Sequence, residues 1–223
     1  MATPKDKRTP GQLRAAELKA EAARADRRRR LIAIVAGTAV AILVVAFFVA
    51  LSLNNKKSPA AAVATAPFAA PASADVPTLV AAAGLTMLPN EGGTKLHLHS
   101  HLQVLNGGKN VVVPADIGIQ VNVGLSPLHT HDATGIIHVE SPTQMDFTLG
   151  QFFKEWNVAL SPTCLGTNCA DATHDLKVFV DGKAFTGDPT SIKLADHQDI
   201  TVAYGDKTAT VTPAHFDFAA AGL

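Results

Sequence analysis

The sequence predicts an α+β fold for the C-terminal part of the chain, with a mostly antiparallel sheet and one main amphipathic helix. Short segments that alternate between polar and apolar residues, bounded by residue pairs favoured in tight turns, predict the strands. A single stripe of large apolar residues at helical spacing predicts the helix. Upstream of both, a long apolar segment without charged residues predicts a single N-terminal transmembrane helix.

Strict alternation of polar and apolar residues predicts a strand at residues 95–104, and short segments rich in Val and Ile predict further strands at residues 111–114, 117–123, 135–140 and 200–203. Asn106-Gly107 predicts a hairpin turn after the first of these, because both residue types tolerate the left-handed backbone that such turns require. Asp181-Gly182 predicts a second hairpin within residues 175–185 for the same reason.

The main helix is predicted at residues 148–156, where Thr148 and Gln151 have the spacing of a capping box. Its large apolar residues follow at positions i, i+3, i+4 and i+7, namely Leu149, Phe152, Phe153 and Trp156. This spacing places them on one face, which we expect to pack against the core rather than to bind a cofactor.

Residues 31–53 form an apolar segment of 23 residues without a charged side chain, and roughly 20 apolar residues suffice to cross a bilayer. Four arginines at 27–30 precede it, so the positive-inside rule predicts a basic cytoplasmic tail at residues 1–30. A cleaved signal peptide is the alternative, because Ala72-Ser73-Ala74 resembles a cleavage site, but this tripeptide lies far from the apolar segment. We therefore expect a single-pass protein anchored in the lipid bilayer of the cell membrane, with its C-terminal domain outside.

Residues 54–77 contain four prolines and many alanines, which predicts an extended linker before an extracytoplasmic domain at residues 78–223. Charge differs between the two sides of the membrane. Residues 1–30 carry ten Lys or Arg and four acidic residues, whereas residues 58–223 carry seven Lys and fifteen acidic residues. An acidic external domain attracts cations and disfavours nucleic acid, and nothing in the sequence identifies a protein partner.

The chain has two cysteines, Cys164 and Cys169, and only four residues separate them. In the oxidising environment outside the membrane, this spacing predicts a local disulfide. We expect a structural disulfide rather than a redox pair.

Six of the nine histidines lie within 42 residues: His97, His99, His101, His129, His131 and His138. The first three share one face of a predicted strand, with leucines on the other face, because strand side chains alternate. Two imidazoles at i and i+2 start about 6.6 Å apart and can converge on one ion, whereas the outer pair, about 13 Å apart, is not expected to do so.

A second His-x-His pair, His129 and His131, can meet the first, and His138 on the following strand can add a ligand. Three or four imidazole ligands suit Zn²⁺ or Cu²⁺. Asp132 and Glu140 are expected to orient these ligands by hydrogen bonding. The alternative is a set of half-exposed strand histidines that hydrogen bond to the same two acidic residues. The isolated histidines are expected to be ordinary surface residues: His174, His197 and His215.

Several segments together resemble an uncharacterised family of exported or membrane-anchored prokaryotic proteins. They are the His-x-His strand, Val-Pro-Ala-Asp-Ile-Gly-Ile (113–119), Leu-His-Thr-His-Asp-Ala-Thr-Gly-Ile-Ile-His-Val-Glu-Ser (128–141) and Thr-Leu-Gly-Gln-Phe-Phe-x-x-Trp (148–156). The most distinctive element is the LHTHDxxGIIHVE motif. The resemblance covers residues 94–205 and implies one bounded domain without implying a particular reaction.

Three functions remain open, of which a non-catalytic module that binds Zn²⁺ or Cu²⁺ outside the membrane is favoured. A metal-dependent hydrolase or lyase is the second, with three histidines on the ion and Glu140 or Asp132 as general base. An envelope adaptor with structural histidines is the third. The chain has no Gly-x-Ser-x-Gly nucleophile elbow and no Gly-rich phosphate loop, which leaves other enzyme classes with little support.

Overall fold

The computed structural model of the chain describes residues 67–89 and 95–223. The predicted cytoplasmic tail, the predicted transmembrane helix and residues 54–66 of the predicted linker lie outside the described residues. None of the helices in these two ranges has the length and hydrophobicity that a bilayer-spanning segment needs.

A seven-stranded sheet, whose central strands are β11 and β1, organises the described part of the chain. The strands are β1 (Leu96–Asn106), β2 (Lys109–Val111), β3 (Ile119–Gln120), β4 (Gly124–Leu125), β5 (Leu128–His129), β6 (Ile136–Ser141), β7 (Cys164–Leu165), β8 (Asn168–Cys169), β9 (His174–Val180), β10 (Lys183–Phe185) and β11 (Gln198–Asp206). The order in the large sheet is β10-β9-β11-β1-β6-β5, with β2 also paired to β1. β3 with β4, and β7 with β8, form two small separate sheets.

Pairing in the large sheet is antiparallel except between β1 and β11, which run parallel at its centre. The helices are α1 (Val76–Ala82), α2 (Leu149–Glu155) and α3 (Phe218–Ala221), with short 3₁₀ helices at Ser73–Asp75 and Pro189–Ser191. The prediction of an α+β fold with mostly antiparallel pairing is therefore confirmed for the described residues. The parallel pairing of the first and last strands was not predicted.

Both predicted hairpins are confirmed, but the second strand of the first one, predicted at residues 111–114, is Lys109–Val111. β9 turns into β10 through Asp181 and Gly182, whose φ angles of 49° and 73° are left-handed, as such turns require. β1 turns into β2 through Gly107 and Gly108, with φ angles of 58° and 73°. This turn lies one residue later than predicted, because Asn106 is still paired as the last residue of β1.

The predicted strand at residues 117–123 is wrong in its extent. Only Ile119–Gln120 is extended and paired, and its partner is Gly124–Leu125 immediately downstream. Gly118 and Asn122 have φ angles of 74° and 64°, and a left-handed residue interrupts an extended strand. The segment therefore forms a tight hairpin in place of one long strand.

The two faces of β1 differ in character, as alternation predicts. Leu102 and Val104 point into the core, where both are almost completely buried. They pair with Ile200 and Val202 on β11, which are also fully buried, so the parallel pair at the centre of the sheet contributes both of its strands to the core. The histidines of β1 occupy the alternate positions and lie on the other face.

α2 has the predicted capping box: the Thr148 hydroxyl accepts from the backbone N–H of Gln151, whose side-chain oxygen accepts from the backbone N–H of Thr148. The apolar stripe of this helix is buried as predicted. Trp156 Nε1 donates to the Phe68 carbonyl oxygen at 3.2 Å, and Phe68 and Val76 belong to the same core. Residues 67–77, at the end of the predicted linker, are thus part of the folded domain.

The predicted disulfide is confirmed. Cys164 and Cys169 lie opposite each other on β7 and β8, with their Cα atoms 4.1 Å apart. The bond closes a turn of four intervening residues that includes Gly166 at a φ angle of 59°.

Candidate metal centre

Three adjacent strands bring three histidines into one row, on the face of the sheet opposite Leu102. His99 on β1 pairs with His138 on β6, and His138 pairs with His129 on β5. The centroid of the His138 ring lies 4.7 Å from that of His99 and 5.4 Å from that of His129. Five of the six predicted ligands meet around this row, and we call them the five-histidine cluster: His97, His99, His129, His131 and His138.

His129 is the most enclosed member of the cluster, with 0% of its surface exposed. Its Nδ1 lies 3.0 Å from the carbonyl oxygen of Ser126, and because a carbonyl oxygen only accepts, Nδ1 carries the proton and donates. Burial lowers the pKa of His129 to about 3, so the ring is neutral near pH 7 and Nε2 keeps a lone pair. A histidine that binds a metal ion is held in the same way, with its second ring nitrogen donating to a carbonyl group.

Nε2 of His129 lies 3.2 Å from Nε2 of His131. Two nitrogens bound to one tetrahedral ion at about 2.0–2.1 Å are about 3.3 Å apart, so this spacing suits a shared ion. One ring nitrogen each of His129, His131 and His138 lie within 4.8 Å of one another. We call these three residues the inner triad; together they can hold one metal ion.

A second group on the same face shares one member with the first. Ring nitrogens of His97, His99 and His138 also lie within 4.8 Å of one another, and we call these residues the outer triad. Nε2 of His97 is 3.2 Å from Nε2 of His99. The His97 side chain is 53% exposed and no member of the outer triad is buried, whereas the inner triad includes the buried His129 beside the exposed His131. Burial, and then repulsion from His97, lowers the pKa of His99.

His138 lies between the two triads. Burial lowers the pKa of His138 to about 4, and repulsion from His131 and His99 adds to this effect. The negative charge of Asp132 raises the pKa of His138, but this effect is weaker than the others. His138 is therefore neutral near pH 7 and able to donate a lone pair to a metal ion.

The two acidic residues singled out in the sequence both lie near the cluster. Glu140 pairs with His97 across β1 and β6, and its Oε1 is 3.4 Å from His97 Nε2 and 4.0 Å from His138 Nδ1. Asp132 Oδ1 accepts from the backbone N–H of Thr134 at 2.9 Å and from the Thr134 hydroxyl. This oxygen of Asp132 stabilises the turn before β6, whereas Glu140 lies directly against the imidazoles.

His101 belongs to neither triad, although the sequence placed it among the candidate ligands. It pairs with Asp199 on β11, and His101 Nδ1 donates to Asp199 Oδ1 at 2.8 Å. Its ring stacks on Phe216 at a centroid distance of 4.7 Å, and Asp199 also accepts from the backbone N–H of Phe216 at 3.0 Å. His101 thus connects β1 to the C-terminal segment of the chain.

The remaining three histidines also lie outside the cluster. His174 and His197 stack on Tyr204 and Phe218, at centroid distances of 5.8 Å and 4.8 Å. The side chain of His215 is 95% exposed. These positions agree with the prediction of ordinary surface residues.

Sequence reasoning missed two residues that support the inner triad. The Ser126 hydroxyl donates to Glu155 Oε1 at 2.6 Å, and the Ser126 carbonyl oxygen orients His129. Glu155 is 1% exposed, and burial raises its pKa to about 8, so the carboxyl group is mostly protonated near pH 7. Within the described residues, its Oε2 has no hydrogen-bond partner. The one signal in the sequence is that Glu155 flanks the apolar stripe of α2.

Models of protein families, curated proteins and solved structures give no match to this chain. The resemblance to a family of exported proteins therefore stays a prediction.

Proposed function

We propose that this chain binds a transition metal ion, Zn²⁺ or Cu²⁺, through the inner triad of His129, His131 and His138. The observation that carries this proposal is the state of His129, which is buried, neutral and oriented by a carbonyl group, with Nε2 3.2 Å from the next imidazole. A ligand fixed in this way loses little conformational freedom when the ion binds.

The donor set supports Zn²⁺ or Cu²⁺ over Mg²⁺ and Ca²⁺. Imidazole nitrogen suits both of these ions, whereas Mg²⁺ and Ca²⁺ prefer oxygen. Both cysteines of the chain form the disulfide, so neither offers a thiolate for Cu(I) or for a blue-copper centre.

In this proposal the ion is bound outside the membrane. The predicted helix at residues 31–53 anchors the chain, and the acidic domain raises the local concentration of cations. The module then acts by binding the ion itself, in buffering, sensing or delivery.

A metal-dependent hydrolase is the second candidate, favoured by one observation. The inner triad supplies three nitrogens, and a tetrahedral ion held by three protein ligands keeps its fourth position for water. Glu140 is the better placed of the two acidic residues to act as a base, because an oxygen of Asp132 is engaged with Thr134. Hydrolysis of a chromogenic ester by the zinc-loaded chain, lost in Glu140→Gln with zinc still bound, would support this candidate.

The test of metal binding uses the full 223-residue chain in detergent, purified without a histidine tag. Zn²⁺ and Cu²⁺ are titrated against a competing chelator, and bound metal is measured by elemental analysis. We expect the double variant His129→Ala, His131→Ala to bind at least about 100-fold more weakly, since each ligand lost costs several kcal/mol. The matched control carries His174→Ala and His215→Ala, two histidines outside the cluster, and should bind like the wild type. Absence of binding by both the wild type and the control would overturn the proposal.

A further inference from the structure

The inner triad uses only part of the donors on this face of the sheet. His97, His99 and Glu140 remain, and they also lie close together. Nε2 of His97 is 3.2 Å from Nε2 of His99 and 3.4 Å from Oε1 of Glu140. Donor atoms that bind one tetrahedral ion are about 3.3 Å apart, so both distances suit a common ion.

We propose that a second metal ion binds beside the first, ligated by His97, His99 and Glu140, with His138 between the two ions. The inference rests on the proposed function, because the inner triad takes the first ion. It adds a second ion to the cluster, and the ligands of this outer ion include both nitrogen and oxygen atoms.

The register of the sheet places His138 between the two positions. It pairs with His99 on one side and with His129 on the other. Its Nδ1 lies 4.0 Å from Glu140 Oε1, so this ring nitrogen faces the outer position. An imidazole has two nitrogens, and His138 can ligate both ions, one through each, when its remaining N–H proton passes to solvent.

Two divalent ions close together repel each other, and negative charge nearby is needed to hold both. Glu140 supplies one such charge at the cluster, where its side chain is only 9% exposed. Asp196 lies beside the outer triad and accepts from the backbone N–H of His99 at 3.1 Å. Asp132 lies near His138 and favours a positive charge on that residue. Carboxylates thus flank both positions.

The two positions are expected to fill in order. Each position has one exposed ligand, His131 in the inner position and His97 in the outer, but only the inner position includes a fully buried ligand, His129. A buried ligand is held more firmly before binding than an exposed one, so the outer ion should bind at least about 100-fold more weakly than the inner ion.

The experiment measures zinc stoichiometry on the full chain in detergent, with Zn²⁺ as the probe. The chain is loaded with increasing Zn²⁺, separated from free metal, and analysed for zinc per chain by elemental analysis and native mass spectrometry. The wild type should reach two ions, and His97→Ala with His99→Ala should reach one, retaining the tighter. His129→Ala with His131→Ala should retain only the weaker ion, and the control with His174→Ala and His215→Ala should reach two. Far-UV circular dichroism verifies the fold of each variant.

The outcomes separate this inference from the proposed function. One zinc per wild-type chain, lost only with His129 and His131, would overturn the second site and leave the proposed function intact. One zinc that survives in each double variant would also overturn it, because the two triads would then alternate around a single ion. Zero zinc in the wild type would overturn both proposals.

Discussion

His129 and His138 lie opposite each other on β5 and β6, with their rings stacked at 12° and their centroids 5.4 Å apart. Because both residues project from paired strands, the sheet itself sets the distance between two of the three inner ligands. Sites built on strands are held more precisely than sites on loops. The third ligand, His131, follows two residues after the end of β5, and its position depends on the neighbouring loop.

Replacing His138 should weaken the whole centre, because this residue belongs to both triads. We expect His138→Ala to lower Zn²⁺ affinity at least about 100-fold, because it removes one of the three inner ligands and its share of the metal-binding free energy. His101→Ala is the matched control on the same face of the sheet, since His101 bonds to Asp199 instead. Chelator competition measures both variants. An equal loss of affinity in the two would show that the effect is structural and would contradict the ligand assignment.

The metal-free chain should lose stability as the pH falls from about 6.5, because burial lowers the pKa of His129 to about 3 and that of His138 to about 4. Between these values and 6.5 the unfolded chain binds more protons than the native chain, so acid favours unfolding. One pKa unit corresponds to about 1.4 kcal/mol, which gives a loss on the order of 2 to 3 kcal/mol from His129 between pH 6.5 and 4.5.

Urea unfolding in the presence of a chelator measures this effect. His129→Gln removes the titrating group, so the difference between wild type and variant isolates its contribution from all other groups. The free energy of unfolding should therefore fall less with acid in the variant. Parallel curves for wild type and His129→Gln would contradict the prediction.

Glu155 should make the chain less stable as the pH rises, which is the opposite of the effect of His129. Burial raises its pKa from 4.5 to about 8, so the native chain binds more protons than the unfolded chain between these values. Its contribution to stability is therefore lost as the pH rises towards 8. Glu155→Gln keeps an oxygen that accepts from Ser126 and removes the titration. Relative to wild type, the variant should gain about 1.4 kcal/mol in the free energy of unfolding for each pH unit between about 4.5 and about 8.

Chemical unfolding of wild type and Glu155→Gln at pH 5 and pH 8 tests this prediction. The advantage of the variant should be small at pH 5 and several times larger at pH 8. Its Zn²⁺ affinity should stay within a few-fold of wild type, because Ser126 remains held and continues to orient His129. A constant difference between the two proteins at both pH values would refute the proposed titration of Glu155.

The disulfide should contribute modestly to stability, because it closes a short loop with four residues between Cys164 and Cys169. A loop of this length restricts the unfolded chain by about 2 kcal/mol. Cys164→Ser with Cys169→Ser should lower the free energy of unfolding by that amount and leave zinc stoichiometry unchanged. Loss of zinc from a folded double variant would instead connect the disulfide to the metal centre.

Local patterns predicted much of the fold. Strand alternation placed His97 and His99 on one face, turn residues located both hairpins, and the capping box with its apolar stripe located α2. These features depend on residues close in sequence. The strand predicted at 117–123 failed because left-handed residues at 118 and 122 were not recognised.

The site depends on long-range pairing, which one sequence does not specify. Alternation predicts the same orientation for His97, His99 and His101. Only their pairing partners on the neighbouring strands distinguish the residues of the cluster from His101. His101 pairs with Asp199, 98 residues later in the chain, whereas His97 pairs with Glu140 and His99 with His138. The Ser126–Glu155 contact, which spans 29 residues, was unpredictable for the same reason.

The central claim is that the inner triad binds a metal ion, and a crystal structure of the zinc-loaded chain with anomalous data at the zinc edge tests it most directly. The account predicts an anomalous peak about 2.0–2.1 Å from a ring nitrogen of each of His129, His131 and His138. On His129 this nitrogen should be Nε2, with Nδ1 still donating to Ser126. A fully zinc-loaded crystal with no peak within bonding distance of these three imidazoles would contradict it.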